Sequence, residues 1–310
     1  MSRIHEALKK AELERAVGAP TDITSPFEFG KKTEPGPGTG PPINPSERVR
    51  KPAGAIDSEA ALKFDDIKAN CNQDRWLPDK SVDVFQMSGS PTAEQFRTLR
   101  SRLYQLRNVR ALRSILVTSS LPEEGKTFIT HNLGQAIARQ QDRRVLIIDA
   151  DLRHPCLHLQ LGAPNRLGLS DFLLGKAKAS EVIQHGQEGG LYLIPSGTKV
   201  SNPSELISNG RMKMLLEQVS SAFDWIIFDS PPCLPVADAN ILADFVDGVL
   251  LIAKAGSTPS GALQKARQKF EGKNVLGVVL NAADETMLQY NSYYSESGSA
   301  HEHSEANTPV

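Results

Sequence analysis

The chain has 310 residues, 39% of them hydrophobic and 23% charged, with a formal net charge of −1. That length suits one α/β domain of roughly 200 residues with extensions, and a near-neutral balance gives no push toward nucleic acid or an anionic membrane as a partner of the whole molecule, so no nucleic acid is expected. Three scattered cysteines, Cys71, Cys156 and Cys233, form no CxxC pair, and no run approaches the ~18 apolar residues of a membrane span, so a zinc site, a redox pair and a spanning helix are all excluded and a cytoplasmic protein is expected.

Residues 2–17 read as an amphipathic helix with Ile4, Ala7, Leu8 and Ala11 on one face. Ser2 can cap it, Glu6 favours the helix dipole, and His5 stands where a capping box needs Glu or Gln. The apolar face has no local partner. It docks on the main domain or on another protein, or it frays. From residue 19 the chain turns rich in Pro and Gly, as in TEPGPGTGPPINPSERVRKP. Such a segment buries too little to offset its ordering entropy, and a flexible linker is expected over 19–82.

A folded domain is expected over 83–285. Phe96, Leu99, Leu103 and Leu106 recur at helical spacing in 91–108. Strands are expected at 114–120, 144–151, 191–197, 224–232, 248–256 and 274–284, and helices at 125–141, 211–223 and 259–271. The strands are continuous apolar runs, which belong in a sheet covered on both faces. The fold predicted is a doubly wound, mostly parallel α/β sheet flanked by helices on both faces, with ligands at the carboxyl ends of its strands. A polar tail, 286–310, carries three of the five tyrosines: Tyr290, Tyr293 and Tyr294. Phenols on a disordered tail are reachable phosphoryl acceptors, though a chance cluster or docking motif reads the same way.

Three motifs carry chemistry. SLPEEGKT, Ser120 to Thr127, follows a strand and opens a helix. It is a P-loop with Ser120 in place of the first Gly, and it marks a P-loop NTPase binding ATP and Mg²⁺. Backbone N–H groups along Ser120, Glu124, Gly125 and into Phe128 would wrap phosphate; Lys126 would reach the β- and γ-phosphates and Thr127 would ligate Mg²⁺. VLIIDADLRHP places Asp149 and Asp151 at a strand end, two residues apart and so facing one way. Two carboxylates at one site call for a cation or a shared proton. WIIFDSPP ends an apolar strand on Asp229, the Mg²⁺-holding aspartate of a Walker B strand. A fourth pattern, Glu94, Arg97 and Arg100 at three-residue spacing, reads as a solvated stripe or as an ion-pairing subunit contact.

Together these residues resemble the bacterial tyrosine kinases (BY-kinases) of capsule and exopolysaccharide assembly, relatives of the deviant-Walker partitioning and septum-placement ATPases. The resemblance covers about 85–285 and the tail. It includes SSLPEEGKT, IIDADLRHP, IIFDSPP, GLSDFLLG, IPSGTKVSNPSELI, PVADANILA, GVVLN and the ExxRxxR helix. The opening MSRIHEALKKAE is similar to kinases encoded with polysaccharide loci.

The resemblance implies a tyrosine autokinase. Asp151 and Asp229 bind Mg²⁺, Asp149 is the base beside the phenol, and Asn281 reads the purine. Glu94, Arg97 and Arg100 build a ring in which each tail enters the next active site. Phosphorylated tails dissociate the ring, a cycle tied to polymer length and export. A separate transmembrane activator of the polysaccharide co-polymerase type recruits the kinase to the inner face of the membrane, and a tyrosine phosphatase resets it. Two departures stand out. The tyrosine cluster is thin, and Glu123 beside Glu124 is expected to weaken ATP binding by like-charge repulsion. A partitioning-type ATPase switch would need an early loop lysine, and Leu121 and Pro122 stand there instead. A nucleotide-binding scaffold is the third possibility.

Overall fold

A computed structural model describes residues 61–86, 90–186 and 189–283. The helix expected at 2–17 and the tail tyrosines lie outside them. The elements run α1 (Phe64–Asn70), β1 (Asn72–Gln73), α2 (Pro91–Val109), β2 (Ser114–Ser119), α3 (Lys126–Ala138), β3 (Val145–Asp149) and α4 (Leu157–Leu161). They continue with α5 (Leu169–Leu173), α6 (Ala179–Val182), β4 (Gln184–His185), β5 (Leu191–Ile194), α7 (Pro203–Ile207), α8 (Arg211–Val219) and β6 (Trp225–Asp229). The last four are α9 (Asp238–Leu242), β7 (Gly248–Lys254), α10 (Ser260–Lys269) and β8 (Val275–Asn281).

The eight strands form one sheet in the order β1-β4-β5-β3-β6-β2-β7-β8. All pairs are parallel except β4 with β5. The strand period of two sorts the central side chains. Leu116, Leu146, Ile148, Ile226 and Phe228 enter the core on one face, and Ile115, Val117, Ile147 and Ile227 enter the core on the other. Helices cover both faces, which is why these strands carry no polar alternation. No helix among the described residues is long and apolar enough to cross a membrane.

The linker expected over 19–82 ends too late. Residues 61–82 are folded: Ile67 of α1 is fully buried, and β1 extends the sheet beside β4. Phe64 stands edge-on to Tyr192 at 5.7 Å and to Phe223 at 6.4 Å, and Trp76 lies against Gly186. The Pro and Gly richness stops before these anchors. Burial of such side chains, about 1.5–3 kcal/mol each, offsets the ordering cost that the linker composition could not.

The expected elements are also trimmed at their polar ends. The strand read as 144–151 stops at Asp149, with Ala150 N–H making one last ladder bond to the carbonyl of Asp229 at 2.8 Å. Asp151 therefore stands in the loop and not in the strand. The helix read from 125 starts at Lys126, since Gly125 is left-handed at φ 91°. Upstream, Ser90 caps α2 by accepting from Ala93 N–H at 3.4 Å, with Pro91 at its first position.

Candidate active site

Three adjacent strands, β3, β6 and β2, end at one edge, and their loops build the site. β2 runs into the loop 120–125, which turns into the N-terminus of α3. That places the positive end of a 13-residue helix at the point where an anion would sit.

Lys126 Nζ lies 3.2 Å from Asp151 Oδ2. Thr127 donates its hydroxyl to Asp229 Oδ2 at 2.7 Å, and Thr130 donates to Asp229 Oδ1 at 3.3 Å. Asp151 accepts His154 N–H at 3.0 Å, and Asp149 accepts Leu157 N–H at 3.2 Å. Asp149 and Asp151 thus face one cluster, yet each is anchored by a different backbone group. Asp149 Oδ1 is buried and has no hydrogen-bond partner among the described residues.

The electrostatics follow from this crowding. Burial pushes Asp229 up to about 6, with Asp151 adding to it and with Lys126 and Thr127 opposing. Burial, then Asp229 and Asp151, hold the Asp149 carboxyl well above the ordinary range. Burial acts to lower Lys126, but Asp229 and Asp151 outweigh it and the ammonium is held protonated. One lysine does not neutralise three buried carboxyls, so the site is short of positive charge.

That deficit suits a divalent cation. Asp151, Asp229 and the Thr127 hydroxyl are hard oxygen donors. Among the described residues no three His, Cys, Asp or Glu side chains form a ready metal cage. A set that leaves positions for water and phosphate oxygens is what Mg²⁺ prefers.

Other expected residues fall differently. Glu124 is buried, and both its carboxylate oxygens are engaged. It accepts Leu121 N–H at 2.8 Å and the Thr258 hydroxyl. Glu123 is exposed and sits in the left-handed region at φ 62°, the backbone reason a glycine suits that position. Ser120 is fully buried, with its hydroxyl unpartnered among the described residues.

The Phe128 ring stands edge-on to Phe96 at 5.8 Å, so only its backbone faces the loop. Asn281 donates to the Glu124 carbonyl at 3.0 Å. On α2, Glu94 pairs with Arg97, whose guanidinium also lies 5.9 Å from the Phe85 ring. Arg100 instead bonds the Ala136 carbonyl at 2.6 Å. The three do not share one free face: Arg100 serves as a cap for α3.

Several contributors were assigned no role from the sequence. Arg153 grips the fully buried Asp238 through Nε at 2.7 Å and Nη2 at 3.0 Å, and it reaches Ser204 at 3.0 Å. This fork ties the Asp151 loop to α7 and α9. Cys156 Sγ lies 3.5 Å from the Thr127 hydroxyl, and burial raises its thiol above the ordinary value. Thr258 has no motif around it at all. Arg153, Ser204 and Asp238 all lie inside quoted motifs, IIDADLRHP, IPSGTKVSNPSELI and PVADANILA, but the pairing of Arg153 with Asp238, 85 residues away, was not visible in them.

Residues 122–259 match the sequence profile of an AAA domain. The chain is 36% identical over 207 residues to the tyrosine-protein kinase YwqD of Bacillus subtilis, covering 66% of this chain and 87% of that one. It is 35% identical over 230 residues to the tyrosine-protein kinase Etk of Escherichia coli, covering 73% of this chain and 31% of Etk. The solved Etk kinase domain superposes with a TM-score of 0.60 at 35% identity, covering 63% of this chain and 79% of that one. A further relative, described as a putative tyrosine-protein kinase in the cps region of Klebsiella pneumoniae, is 33% identical over 61% of this chain and 26% of its own length. This chain thus spans most of YwqD but less than a third of the Etk and Klebsiella sequences.

Proposed function

The chain belongs to the bacterial tyrosine-protein kinase family, and from that premise we propose that it moves the γ-phosphoryl of ATP onto Tyr290, Tyr293 and Tyr294 of a second copy. The observation that carries this reading is the joining of Lys126 to Asp151 at 3.2 Å and of Thr127 to Asp229 at 2.7 Å, within a buried site short of positive charge.

Asp151, Asp229 and Thr127 would hold Mg²⁺, which supplies charge neutralisation along the triphosphate when bound. Lys126 would stabilise charge developing on the β- and γ-oxygens. The phenol oxygen forms the new bond to phosphorus as the bond to the β–γ bridging oxygen breaks, and ADP keeps that electron pair. The phenol proton passes to Asp149. Its buried Oδ1, without a hydrogen-bond partner among the described residues, is the carboxylate oxygen free to take that proton. Asn281 would read the purine edge from the mouth of the loop. Backbone N–H groups of Gly125 and Phe128, with the buried Ser120 beside them, would line the phosphates.

Copies would meet in a ring through Glu94 and Arg97, with Arg100 setting the seat of α2. Each phosphotyrosine adds roughly −1.5 to −2 charges, and crowded tails would drive the ring apart. The cps description of one relative and the motif resemblance support a role in capsule or exopolysaccharide polymerisation and export. There a transmembrane activator of the co-polymerase type would recruit the chain to the inner membrane face, and a tyrosine phosphatase would reset it.

The test is incubation of the full chain with ATP and Mg²⁺, with and without Lys126→Met, followed by phosphosite mapping by mass spectrometry. Phosphate on the three tail tyrosines is expected, reduced about 100- to 1000-fold in the variant. ATP hydrolysis without phosphotyrosine, even with an activator tail added, would overturn the kinase reading in favour of an ATPase switch.

A further inference from the structure

We propose that Thr258 is a positioning residue for the phosphate loop, acting through Glu124, and that Glu124 is itself a loop-shaping group and no ligand of phosphate. The inference rests on the reading of loop 120–127 as an ATP site.

A carboxylate inside a phosphate-binding loop needs explaining, because facing the triphosphate it would repel it. The geometry removes the conflict. One oxygen of Glu124 accepts Leu121 N–H at 2.8 Å, closing a three-residue turn as a capping-box glutamate does. The other accepts the hydroxyl of Thr258, from the loop between β7 and α10. Thr258 is saturated in turn, since its hydroxyl accepts Lys254 N–H at 2.7 Å.

Asn281, at the end of β8, donates to the Glu124 carbonyl at 3.0 Å, and its own carbonyl accepts Ala255 N–H at 2.8 Å. A Cβ on Gly125 would lie 2.0 Å from the Asn281 amide nitrogen. The loop is therefore clasped from behind at both the side chain and the backbone of Glu124. The two clasping groups come from neighbouring strand ends of the sheet, β7 and β8. Ser119 adds a further tie by donating to the Leu121 carbonyl at 2.7 Å.

The consequence is a loop whose shape exists before nucleotide arrives. With Glu124 drawn back, the N–H groups that follow it at Gly125 and Lys126 are left to face the helix N-terminal side. Cutting the Thr258 tie frees a carboxylate to swing toward phosphate. It raises the cost of ordering the loop and introduces repulsion together. Both effects fall on nucleotide binding.

The experiment is titration of the full chain with a fluorescent ATP analogue and Mg²⁺, for wild type, Thr258→Val, Thr258→Ser and Lys126→Met. The melting midpoint of each nucleotide-free protein is measured alongside. Thr258→Val keeps the shape and removes the hydroxyl, and its Kd is expected to rise by about tenfold, the scale of one lost hydrogen bond to a charged group. Thr258→Ser is expected within about twofold of wild type. A Thr258→Val Kd equal to wild type overturns the proposal. So does a lowered melting midpoint with unchanged Kd, because Thr258 would then be a structural pin only. If wild type itself binds no nucleotide, the ATP-site reading fails and this inference falls with it. A wild type that binds, with Lys126→Met that does not, isolates the Thr258 question.

Discussion

The two sides of the phosphate loop are built on opposite rules. At the back, Leu121, Glu124, Thr258 and Asn281 satisfy one another, and each donor there has its acceptor. At the front, three buried aspartates share one lysine and two threonines, Asp149 keeps an oxygen with no partner among the described residues, and Asp229 is pushed up to about 6. A saturated network resists change because every broken bond strands a buried polar group. An unsaturated one is unstable alone and is completed by what binds. The difference separates the part that holds the loop from the part that meets the substrate.

The comparison breaks most visibly at Asp229. Changing it to Asn removes a front carboxylate, and phosphoryl transfer is expected to fall by about 100-fold. The nucleotide-free protein is expected to gain stability at pH 7. Raising the carboxyl from 3.8 to about 6 corresponds to about 3 kcal/mol of disfavoured charge. Asn keeps only part of the Thr127 and Thr130 bonds, leaving a net gain of about 1–2 kcal/mol. Kinase assays and urea melts on one preparation check both halves. A variant that loses activity and stability together would mean the front is held as tightly as the back.

A pH series sharpens the same contrast with no substitution. Asp229 binds its proton more tightly in the folded chain than in the unfolded one. Its protonated form therefore stabilises the nucleotide-free fold fully below the ordinary carboxylate range, and that contribution is lost as pH rises through about 6. In the proposed site Mg²⁺ would compete with this proton. Binding of ATP·Mg²⁺ is expected to weaken below about pH 6, by up to about tenfold per unit. Calorimetric titrations between pH 5 and 8 give the slope. A flat profile would remove Asp229 from the cation site.

The smallest effect is expected at Glu123, which is exposed on the loop and left-handed at φ 62°. Glu123→Gly relieves the backbone, worth about 1 kcal/mol, and takes one exposed charge from near the phosphates. A few-fold gain in nucleotide affinity should follow. An unchanged Kd would place the Glu123 carboxylate out of range of the triphosphate.

What could be read in advance divides along a similar line. β2, β3, β6 and β7 were legible because central parallel strands are apolar on both faces, and α2 because Phe96, Leu99, Leu103 and Leu106 repeat at helical spacing. Lys126, Thr127, Asp151 and Asp229 could be singled out as candidates because phosphate and cation chemistry restricts which residues can stand at a strand end, and the fold brings the four together. The margin of the sheet was not. β1 and β4 have two residues each, too short for any period, and the helix bearing Ile67 looked like the continuation of a linker. Arg100 followed the three-residue spacing of a contact stripe, yet its guanidinium turns inward to Ala136.

By itself the sequence determined the class of fold and the places of its principal strands along the chain, and it singled out candidates for the front of the site, since each is written in contiguous patterns of apolarity, glycine and charge. Only the tertiary structure decided where those charges point and what holds them. Glu123 and Glu124 are adjacent and chemically identical, and nothing local separates their fates. One is exposed, and the other is buried against Thr258, 134 residues away. Hydrogen-bond partners drawn from distant strand ends leave no local pattern, so their effect appears only once the sheet has brought those ends together.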